Sequence, residues 1–295
     1  SFHGLGFDRV NPFAWPSPRL VRRADVVHVH QLCTWVSDAC ALPARPGRQA
    51  LVGTDHGGGG FRVLNRRLPV YRRYQAVTGQ SRLAVEQLEP TFQGRTHLVP
   101  GGVDPDRFRP GRPDNTPTIL YVGRMLPHKG IHLLIDAFRQ AGLDTWHLKL
   151  VGPAGDPAYL ADLHQRARGM PVTFVHDADN TAVIRAYQAA RLLVLPSERR
   201  GSGQPPELMG FTVLEAQACG IPVLVSDAGP MAEFIEEGVT GFSFSAGDCA
   251  ALVEGLRAAS ALPPDTASAC RQHVLAFSWE TVARQFVSLY RSILA

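Results

Sequence analysis

The sequence lacks the features that mark membrane-spanning and disulfide-stabilised proteins. No apolar run reaches the roughly 18 residues that a transmembrane helix needs, and the opening stretch SFHGLGFDRVNPFAWPSPRL has no apolar core of the kind found in a secretory signal. Its five cysteines are scattered and contain no CxxC pair, which argues against a disulfide framework or a structural zinc site. We therefore expect reduced thiols in a cytoplasmic protein.

Lysine is absent from residues 1–114, which carry 16 arginines and nine acidic residues, a net charge of +7, whereas the remainder carries −3. The basic excess is densest in FRVLNRRLPVYRRY. This segment predicts either a solvated helix face or an amphipathic patch for an anionic membrane surface or an anionic acceptor. Because no known nucleic-acid motif accompanies it, we expect no nucleic-acid partner.

From residue 118 onward, short β-rich runs alternate with helical patterns. The strand-like runs include TILYVG, HLKLVG, VTFVH, RLLVLPS, IPVLVSD and TGFSFSAGD, and the helix-like ones include IHLLIDAFRQ, FTVLEAQACG and GPMAEFIEEG. Such alternation predicts an α/β fold, in which helices cover both faces of a doubly wound parallel sheet. Ligands of such sheets bind at the carboxyl ends of the strands.

The same alternation, in shorter form, precedes a segment rich in proline, glycine and aspartate, PGGVDPDRFRPGRPDNTP. That composition is typical of a linker. We therefore predict an N-terminal Rossmann-like domain over 1–113 and a second domain over 114–277. A C-terminal helix over 278–295, N-capped by Ser278, would follow, and its return to the N-terminal domain is a hypothesis.

Two cations follow the first strand of the second domain, in YVGRMLPHKG. Arg124 and Lys129 stand between the carboxyl end of a strand and the start of a helix, where the helix N-terminus also attracts anions. Arginine holds phosphate oxygens bidentately and lysine adds a point charge. The pair indicates a diphosphate site, and two solvated surface cations are the alternative.

Two carboxylates flank a helix start in PPELMGFTVLEAQACG. Gly210 permits close backbone approach, and the amides that follow it lie at a helix N-terminus. Glu215, one turn into the helix, is placed to accept hydrogen bonds from a vicinal diol such as ribose, while Glu207 in the loop reaches another part of the ligand. A buried, internally satisfied Glu215 is the alternative.

PELMGFTVLEAQACGIPVLVSDAGPMAEFIEEGVTGF resembles the signature of retaining nucleotide-sugar glycosyltransferases of the GT-B fold, family 4 (glycosyltransferase group 1). YVGRMLPHKGIHLLIDAF resembles the diphosphate-binding segment of that family, and LVPGGVDPDRFRP its interdomain turn. The match runs over residues 95–295. It implies two Rossmann-like domains, and the N-terminal one is expected to be incomplete, because relatives open with further strands.

The resemblance also assigns roles to individual residues. The implied site residues are Arg124 and Lys129 at the donor diphosphate, Gly210, Phe211 and Thr212 at the donor sugar, Glu215 at the ribose, His176 and Asp177 beside the nucleobase, and Glu207 and His56 as candidate catalytic residues. His56 lies in GTDHGGGG, which resembles the strand-end histidine segment of the family. A structural histidine is the alternative at that position.

The implied reaction is transfer of a hexose, with retention, from a nucleotide-diphosphate sugar to a hydroxyl of a glycan or lipid-linked acceptor, as in polysaccharide biosynthesis. No cofactor is expected, and no metal, because the two cations and the helix dipole would neutralise the leaving diphosphate. We accordingly interpret the Asp-x-Asp pairs Asp104/Asp106 and Asp177/Asp179 as a turn and a helix start. The glycine run 57–60 is no P-loop, since no Gly-Lys-Ser/Thr follows.

Two other functions stay open at this stage. A nucleotide-sugar epimerase of the same fold would convert the donor without an acceptor, and a non-catalytic nucleotide-sugar-binding fragment would bind the donor and transfer nothing. The basic N-terminal part adds the hypothesis of peripheral contact with the inner membrane face. The base, the sugar and the acceptor are not specified by the sequence.

Overall fold

A computed structural model of the 295-residue chain describes residues 17–32, 34–56, 70–199, 209–263 and 265–295. The chain divides into two compact units. The N-terminal unit joins Ser1–Gly101 to Val282–Ala295, and the C-terminal unit is Gly102–Thr281. Each unit carries its own parallel sheet.

The N-terminal unit has a four-stranded parallel sheet with helices beside it. Its elements are α1 (Pro18–Arg23), β1 (Val26–His30), α2 (Trp35–Ala41), β2 (Ala50–Asp55), a 3₁₀ turn (Val70–Arg73), β3 (Ala76–Gly79), α3 (Arg82–Phe92) and β4 (Thr96–Leu98). The strand order is β1-β2-β3-β4. The core centres on Leu51 of β2, Val77 of β3 and Phe92 of α3, which are fully buried. Burial of the two strand residues is expected in a parallel sheet.

The C-terminal unit has a six-stranded parallel sheet. Its elements are β5 (Thr118–Val122), α4 (Ile131–Gln140), β6 (His147–Val151), α5 (Pro157–Arg166), β7 (Val172–Val175), α6 (Asn180–Ala189), β8 (Leu192–Leu195), α7 (Phe211–Ala218), β9 (Val223–Ser226), β10 (Gly241–Phe244), α8 (Cys249–Ser260) and α9 (Thr266–Val274). The order β10-β9-β8-β5-β6-β7 reverses direction between β5 and β8. That neighbouring pair is the topological switch point of a doubly wound sheet, where such folds bind ligands.

Helix α10 (Trp279–Leu294) runs from one unit into the other. Ser278 caps it as predicted, since the Thr281 amide donates to Ser278 Oγ at 3.2 Å. Its second part packs within the N-terminal unit, where the Phe286 and Tyr290 rings lie 5.0 and 5.8 Å from the His28 ring.

The first boundary between the two units in the sequence falls between Gly101 and Gly102, ahead of the 113/114 boundary predicted from composition. The proline-rich stretch after Gly102 belongs to the C-terminal unit because its side chains pack there: the Phe108 ring lies 6.0 Å from that of Tyr187. A segment rich in turn-forming residues is thus part of a packed unit.

GPMAEFIEEG is not an α-helix, contrary to the sequence pattern. Residues Pro230–Phe234 form a single 3₁₀ turn and Ile235 is already extended. The Thr240 amide donates to the Glu236 carbonyl at 2.8 Å, and this turn leads directly into β10, so the chain has no room for a second helical turn. Of FRVLNRRLPVYRRY, residues 61–69 lie outside the described residues, and the rest contains the 3₁₀ turn Val70–Arg73.

The described cysteines are free thiols: Cys40, Cys219, Cys249 and Cys270. Burial raises the pKa of Cys219 and of Cys270 to about 12, so these thiols stay protonated and unreactive at neutral pH. Across the described ranges, we find no helix with both the length and the apolar character needed to cross a bilayer.

Candidate active site

The switch point of the C-terminal unit is held together by a backbone contact between two loops. Gly130 follows β5 at φ +67°, and a Cβ placed there would lie 1.9 Å from the Pro196 carbonyl oxygen, which follows β8. Only glycine accommodates both the left-handed conformation and this approach. The contact brings the loops after β5 and β8 together at the carboxyl edge of the sheet.

A second close approach joins the loops after β5 and β6. Gly152 has φ +144°, and an added Cβ would lie 2.0 Å from the Gly123 carbonyl oxygen. The Gly123 amide donates to the Val151 carbonyl at 3.0 Å, which extends the sheet pairing past the end of β5. Arg124 therefore leaves the sheet from a fixed point.

Arg124 and Lys129 lie on one loop, between β5 and α4. The Arg124 side chain is exposed and that of Lys129 is half-buried. The Tyr121 hydroxyl donates to the Arg124 carbonyl at 2.9 Å, and Lys129 closes a 3₁₀ turn that ends at Gly130. Both cations thus precede the N-terminus of α4, whose first amides and dipole also favour an anion.

A polar cluster beside this loop was not predicted from the sequence. His132, in the first turn of α4, has Nδ1 3.0 Å from the Tyr159 hydroxyl and Nε2 3.3 Å from Glu198 Oε1. Burial raises the pKa of Tyr159 to about 12, so it stays a neutral hydroxyl. Glu198 follows β8 and His132 follows β5, so strand-end position was the available signal.

The predicted sugar-binding amides stand at the N-terminus of α7. Gly210 is the N-cap and supplies no side-chain cap to the helix, so the amides of Phe211 and Thr212 lack a partner within the helix. Phe211 is 38% exposed. Glu207 lies outside the described residues, so its predicted role stays a prediction.

Glu215 is held by a tyrosine from the neighbouring helix. The Tyr187 hydroxyl, in α6, donates to Glu215 Oε2 at 2.8 Å. Burial raises the pKa of Glu215, while the Tyr187 hydrogen bond and the charge of Arg107 lower it. Its second oxygen, Oε1, has no hydrogen bond among the described residues, so Glu215 is both internally held and open to a further donor.

His176 and Asp177 follow β7, two strands from the switch point on the β6 side. The ring of His176 lies near those of Phe174 and His164, at 6.2 and 6.3 Å. Its Nδ1 atom is buried and has no hydrogen-bond partner among the described residues. Asp177 is exposed. The predicted place of His176 and Asp177 beside a nucleobase stays a prediction.

His56, in the N-terminal unit, belongs to a histidine cluster at the carboxyl ends of β1 and β2. Its Nε2 lies 3.0 Å from His30 Nδ1 and its Nδ1 lies 3.1 Å from Gln80 Oε1. His28 stacks on His30 with ring centroids 4.5 Å apart. In the sequence, the run ADVVHVHQ predicts a strand, and its two histidines, two positions apart and so on one face of that strand, were the available signal for this cluster.

The Asp-x-Asp pairs carry backbone hydrogen bonds. Asp104 Oδ1 accepts from the amides of Asp106 and Arg107, each at 3.0 Å, and Asp179 Oδ1 accepts from the Ala182 amide at 2.7 Å as the N-cap of α6. Over the described part of the chain, no group of three or more histidine, cysteine, aspartate or glutamate residues is placed to hold a metal ion.

A cavity of about 500 Å³ lies at the opposite edge of the C-terminal sheet. It is lined by residues that precede strands, among them Pro117, Trp146, Arg191 and Pro222. Because ligands of doubly wound sheets bind at the carboxyl edge, this amino-edge cavity is not the candidate active site.

Two family models match the chain. The model described as "Glycosyl transferases group 1" covers residues 103–273 and that described as "Glycosyltransferase Family 4" covers residues 2–107. With two parallel α/β units of the Rossmann type, these matches define a glycosyltransferase of the GT-B class. The chain belongs to the glycosyl transferases group 1 family.

Similar proteins agree with this assignment. The chain is 32% identical over 247 residues to D-inositol 3-phosphate glycosyltransferase 2 of Catenulispora acidiphila, covering 75% of this chain and 56% of that protein. It is 32% identical over 242 residues to a GDP-mannose-dependent monoacylated alpha-(1-6)-phosphatidylinositol monomannoside mannosyltransferase of Corynebacterium glutamicum, covering 75% and 59%. The chain thus spans little more than half the length of these two relatives.

Among solved structures, Anabaena Alr3699/HepE in complex with UDP superposes with a TM-score of 0.78 at 22% identity, covering 93% of this chain and 80% of that one. At this identity the likeness bears on the fold alone.

Proposed function

We propose that the chain transfers a sugar from a nucleotide-diphosphate donor to a hydroxyl of a glycan or lipid-linked acceptor. The observation that carries this proposal is the contact of Gly130 with the Pro196 carbonyl. This contact joins the loops after β5 and β8 at the switch point of the sheet, and Arg124 and Lys129 lie on the first of those loops, just before α4. Two cations and a helix N-terminus at that point suit a diphosphate.

The remaining groups of the C-terminal unit suit the other parts of such a donor. The open oxygen of Glu215 suits a ribose hydroxyl, and the amides of Phe211 and Thr212 suit a sugar oxygen. His176 and Asp177, which follow β7 at the same edge of the sheet, are the residues proposed to border the base. These assignments support a nucleotide sugar over a simple phosphate ester.

We further propose that transfer retains the anomeric configuration and needs no metal ion. Protein cations beside the leaving diphosphate support its departure without a bound metal, and the departing phosphate oxygen would then take the proton of the acceptor hydroxyl on the same face. Product anomeric configuration by NMR tests the first claim. Undiminished rates after exhaustive EDTA treatment test the second.

The donor site is tested by thermal unfolding with millimolar UDP, GDP and ADP. A nucleotide at about 100 times its Kd adds roughly 2.7 kcal/mol to the free energy of unfolding. We expect one nucleotide to raise the Tm of the wild type, Arg124→Ala to abolish the rise, and Arg168→Ala to keep it. Arg168 is an exposed arginine after α5, towards the amino edge of the sheet. No rise with any nucleotide would contradict the proposal.

We also propose that the acceptor is met at an anionic membrane surface. Helix α1 supports this, because Arg19, Arg22 and Arg23 are exposed beside Leu20, which is 70% exposed. Cationic residues around an apolar side chain suit interfacial binding. We expect salt-sensitive co-sedimentation with phosphatidylserine vesicles that Arg22→Gln/Arg23→Gln weakens. Equal binding to neutral vesicles would oppose this.

A further inference from the structure

The histidine cluster of the N-terminal unit is hydrogen-bonded to a buried glutamine. Gln80 is 5% exposed, and its Oε1 lies 3.1 Å from His56 Nδ1. An amide oxygen only accepts hydrogen bonds. With Oε1 as the partner, His56 Nδ1 is the donor to Gln80, and Nε2 of a ring with one N–H is left as an acceptor.

The second histidine of the pair takes its tautomer from the first. His30 Nδ1 lies 3.0 Å from His56 Nε2, and because that nitrogen accepts, His30 Nδ1 donates. The proton of neutral His30 is then on Nδ1. Its Nε2 is an unprotonated acceptor, which has no hydrogen bond among the described residues, on a side chain that is exposed.

The third histidine fixes the pair in place. His28 Nδ1 lies 2.6 Å from the Tyr290 hydroxyl and Nε2 lies 2.7 Å from Thr54 Oγ1, so both its nitrogens are occupied. Thr54 Oγ1 continues to Thr78 Oγ1 at 2.6 Å. The His28 ring is therefore a rigid platform on which the His30 ring stacks.

Burial favours the neutral forms of His28 and His30. It lowers the pKa of His28 to about 4, with smaller contributions from His30 and His56, and it lowers the pKa of His30, with a smaller contribution from His56. A neutral imidazole with a free Nε2 accepts a hydrogen bond, whereas a protonated one only donates. Sugars and polyols carry hydroxyl donors that match it.

We propose that His30 binds substrate: its Nε2 accepts a hydrogen bond from a hydroxyl group, and His56, whose own nitrogens are engaged, positions it. The proposal rests on the proposed glycosyl transfer. The substrate contact that the family resemblance implies at His56 is assigned instead to His30, the last residue of β1. The hydroxyl belongs either to the transferred sugar or to the acceptor.

Steady-state kinetics of the full chain test the proposal. We expect His30→Ala to lower kcat/KM by about 10- to 100-fold, the loss typical of one good hydrogen bond to substrate, and His56→Ala to lower it similarly. The double variant should be no worse than His30→Ala, because the two act as a unit. His97→Ala, an exposed histidine on β4, should match the wild type.

Three further readouts separate substrate contact from a structural effect. His30→Gln should recover part of the activity, because its amide oxygen reaches the Nε2 position. A rise confined to the acceptor KM identifies an acceptor hydroxyl, and a rise in the donor KM together with slower donor hydrolysis identifies the transferred sugar. Imidazole ¹⁵N NMR of the free protein should show the Nδ1–H tautomer for both His30 and His56.

The outcomes that overturn the proposal differ from those that overturn the function. Full activity of His30→Ala in a transferring wild type, or an Nε2–H tautomer at His30, rejects the role of His30 alone. A wild type that binds no nucleotide and transfers no sugar rejects the proposed function, and this inference with it.

Discussion

At the residue scale, two glycines with the same backbone conformation have different neighbours. Gly130 and Gly142 have φ +67° and +70°. A Cβ at Gly130 would meet the Pro196 carbonyl, whereas one at Gly142 would have nothing within 4 Å. Alanine substitutions at the two positions therefore separate the cost of a left-handed alanine from the cost of moving the loop after β8.

We expect Gly142→Ala to lower the free energy of unfolding by about 1–2 kcal/mol, the cost of the left-handed conformation, and to leave nucleotide binding intact. Gly130→Ala should cost more and abolish the nucleotide-induced rise in Tm, because the Pro196 carbonyl must shift. Urea unfolding and thermal shift measure both. Equal effects of the two variants would show that the loop contact does not shape the site.

A second residue-scale prediction concerns Tyr187 and Glu215. Tyr187→Phe removes the hydrogen bond to Glu215 Oε2, so the pKa of Glu215 should rise further. We expect the free energy of unfolding to fall by about 1–2 kcal/mol at pH 7.

The loss of stability in Tyr187→Phe should be smaller near pH 4. At that pH the Glu215 carboxyl is protonated in both folded and unfolded chains, so its ionisation no longer contributes to stability. Urea unfolding at the two pH values measures it, and Glu215→Gln in the same background should remove the pH dependence. A loss independent of pH would show that Tyr187 contributes packing only.

At the scale of elements, strands were predictable and the exact helices less so. Runs such as TILYVG and RLLVLPS became β5 and β8 because short β-rich runs suit a sheet buried on both faces. GPMAEFIEEG carries a helical pattern, but the turn at Glu236 and the start of β10 truncate it. Local pattern thus determined element type where no tertiary contact competed.

The part of the candidate site that could be predicted from the sequence consists of residues that follow strands or begin helices. Arg124, Lys129 and Gly210 follow strands or open helices, which the sequence shows. Tyr187 and Glu198 acquire their roles only when a helix packs beside α7 or a loop returns to α4. Those contacts depend on strand order, which alternation alone does not give.

His28 in strand β1 and Asp38 in helix α2 have pKa shifts of opposite sign, so acidification changes the free energy of unfolding in opposite directions through the two residues. The pKa of His28 is lowered to about 4 by burial, and that of Asp38 is raised to about 6 by burial. Between about pH 6.5 and 4, the unfolded chain binds the proton of His28 more tightly, so stability falls as pH falls. Between about pH 6 and 4, the folded chain binds the proton of Asp38 more tightly than the unfolded chain does, so Asp38 raises stability as pH falls.

We therefore expect Asp38→Asn to be more stable than the wild type at pH 7 and to lose stability more steeply on acidification. His28→Gln should have the opposite effect: its stability should fall less steeply on acidification than that of the wild type. Circular dichroism melts from pH 7 to pH 4 measure both slopes. Parallel curves for Asp38→Asn and the wild type would mean that Asp38 has an ordinary pKa.

At the scale of the whole molecule, helix α10 links stability of β1 to a distant part of the sequence. The Tyr290 hydroxyl lies 2.6 Å from His28 Nδ1. We expect Tyr290→Phe to speed hydrogen exchange in peptides from β1 and β2, while peptides from β5 to β10 keep wild-type rates. Val287→Ala, an exposed position on the same helix, is the control. Faster exchange in both units would contradict a local role.

The path of α10 also has a consequence for synthesis on the ribosome. The strands of the N-terminal unit emerge first, but Phe286 and Tyr290, which close over His28, are translated only after the whole of Gly102–Thr281. Domains generally fold as they emerge, N-terminal first. Here the N-terminal unit is completed only after the C-terminal one, and until then β1 lacks the helix that packs on His28.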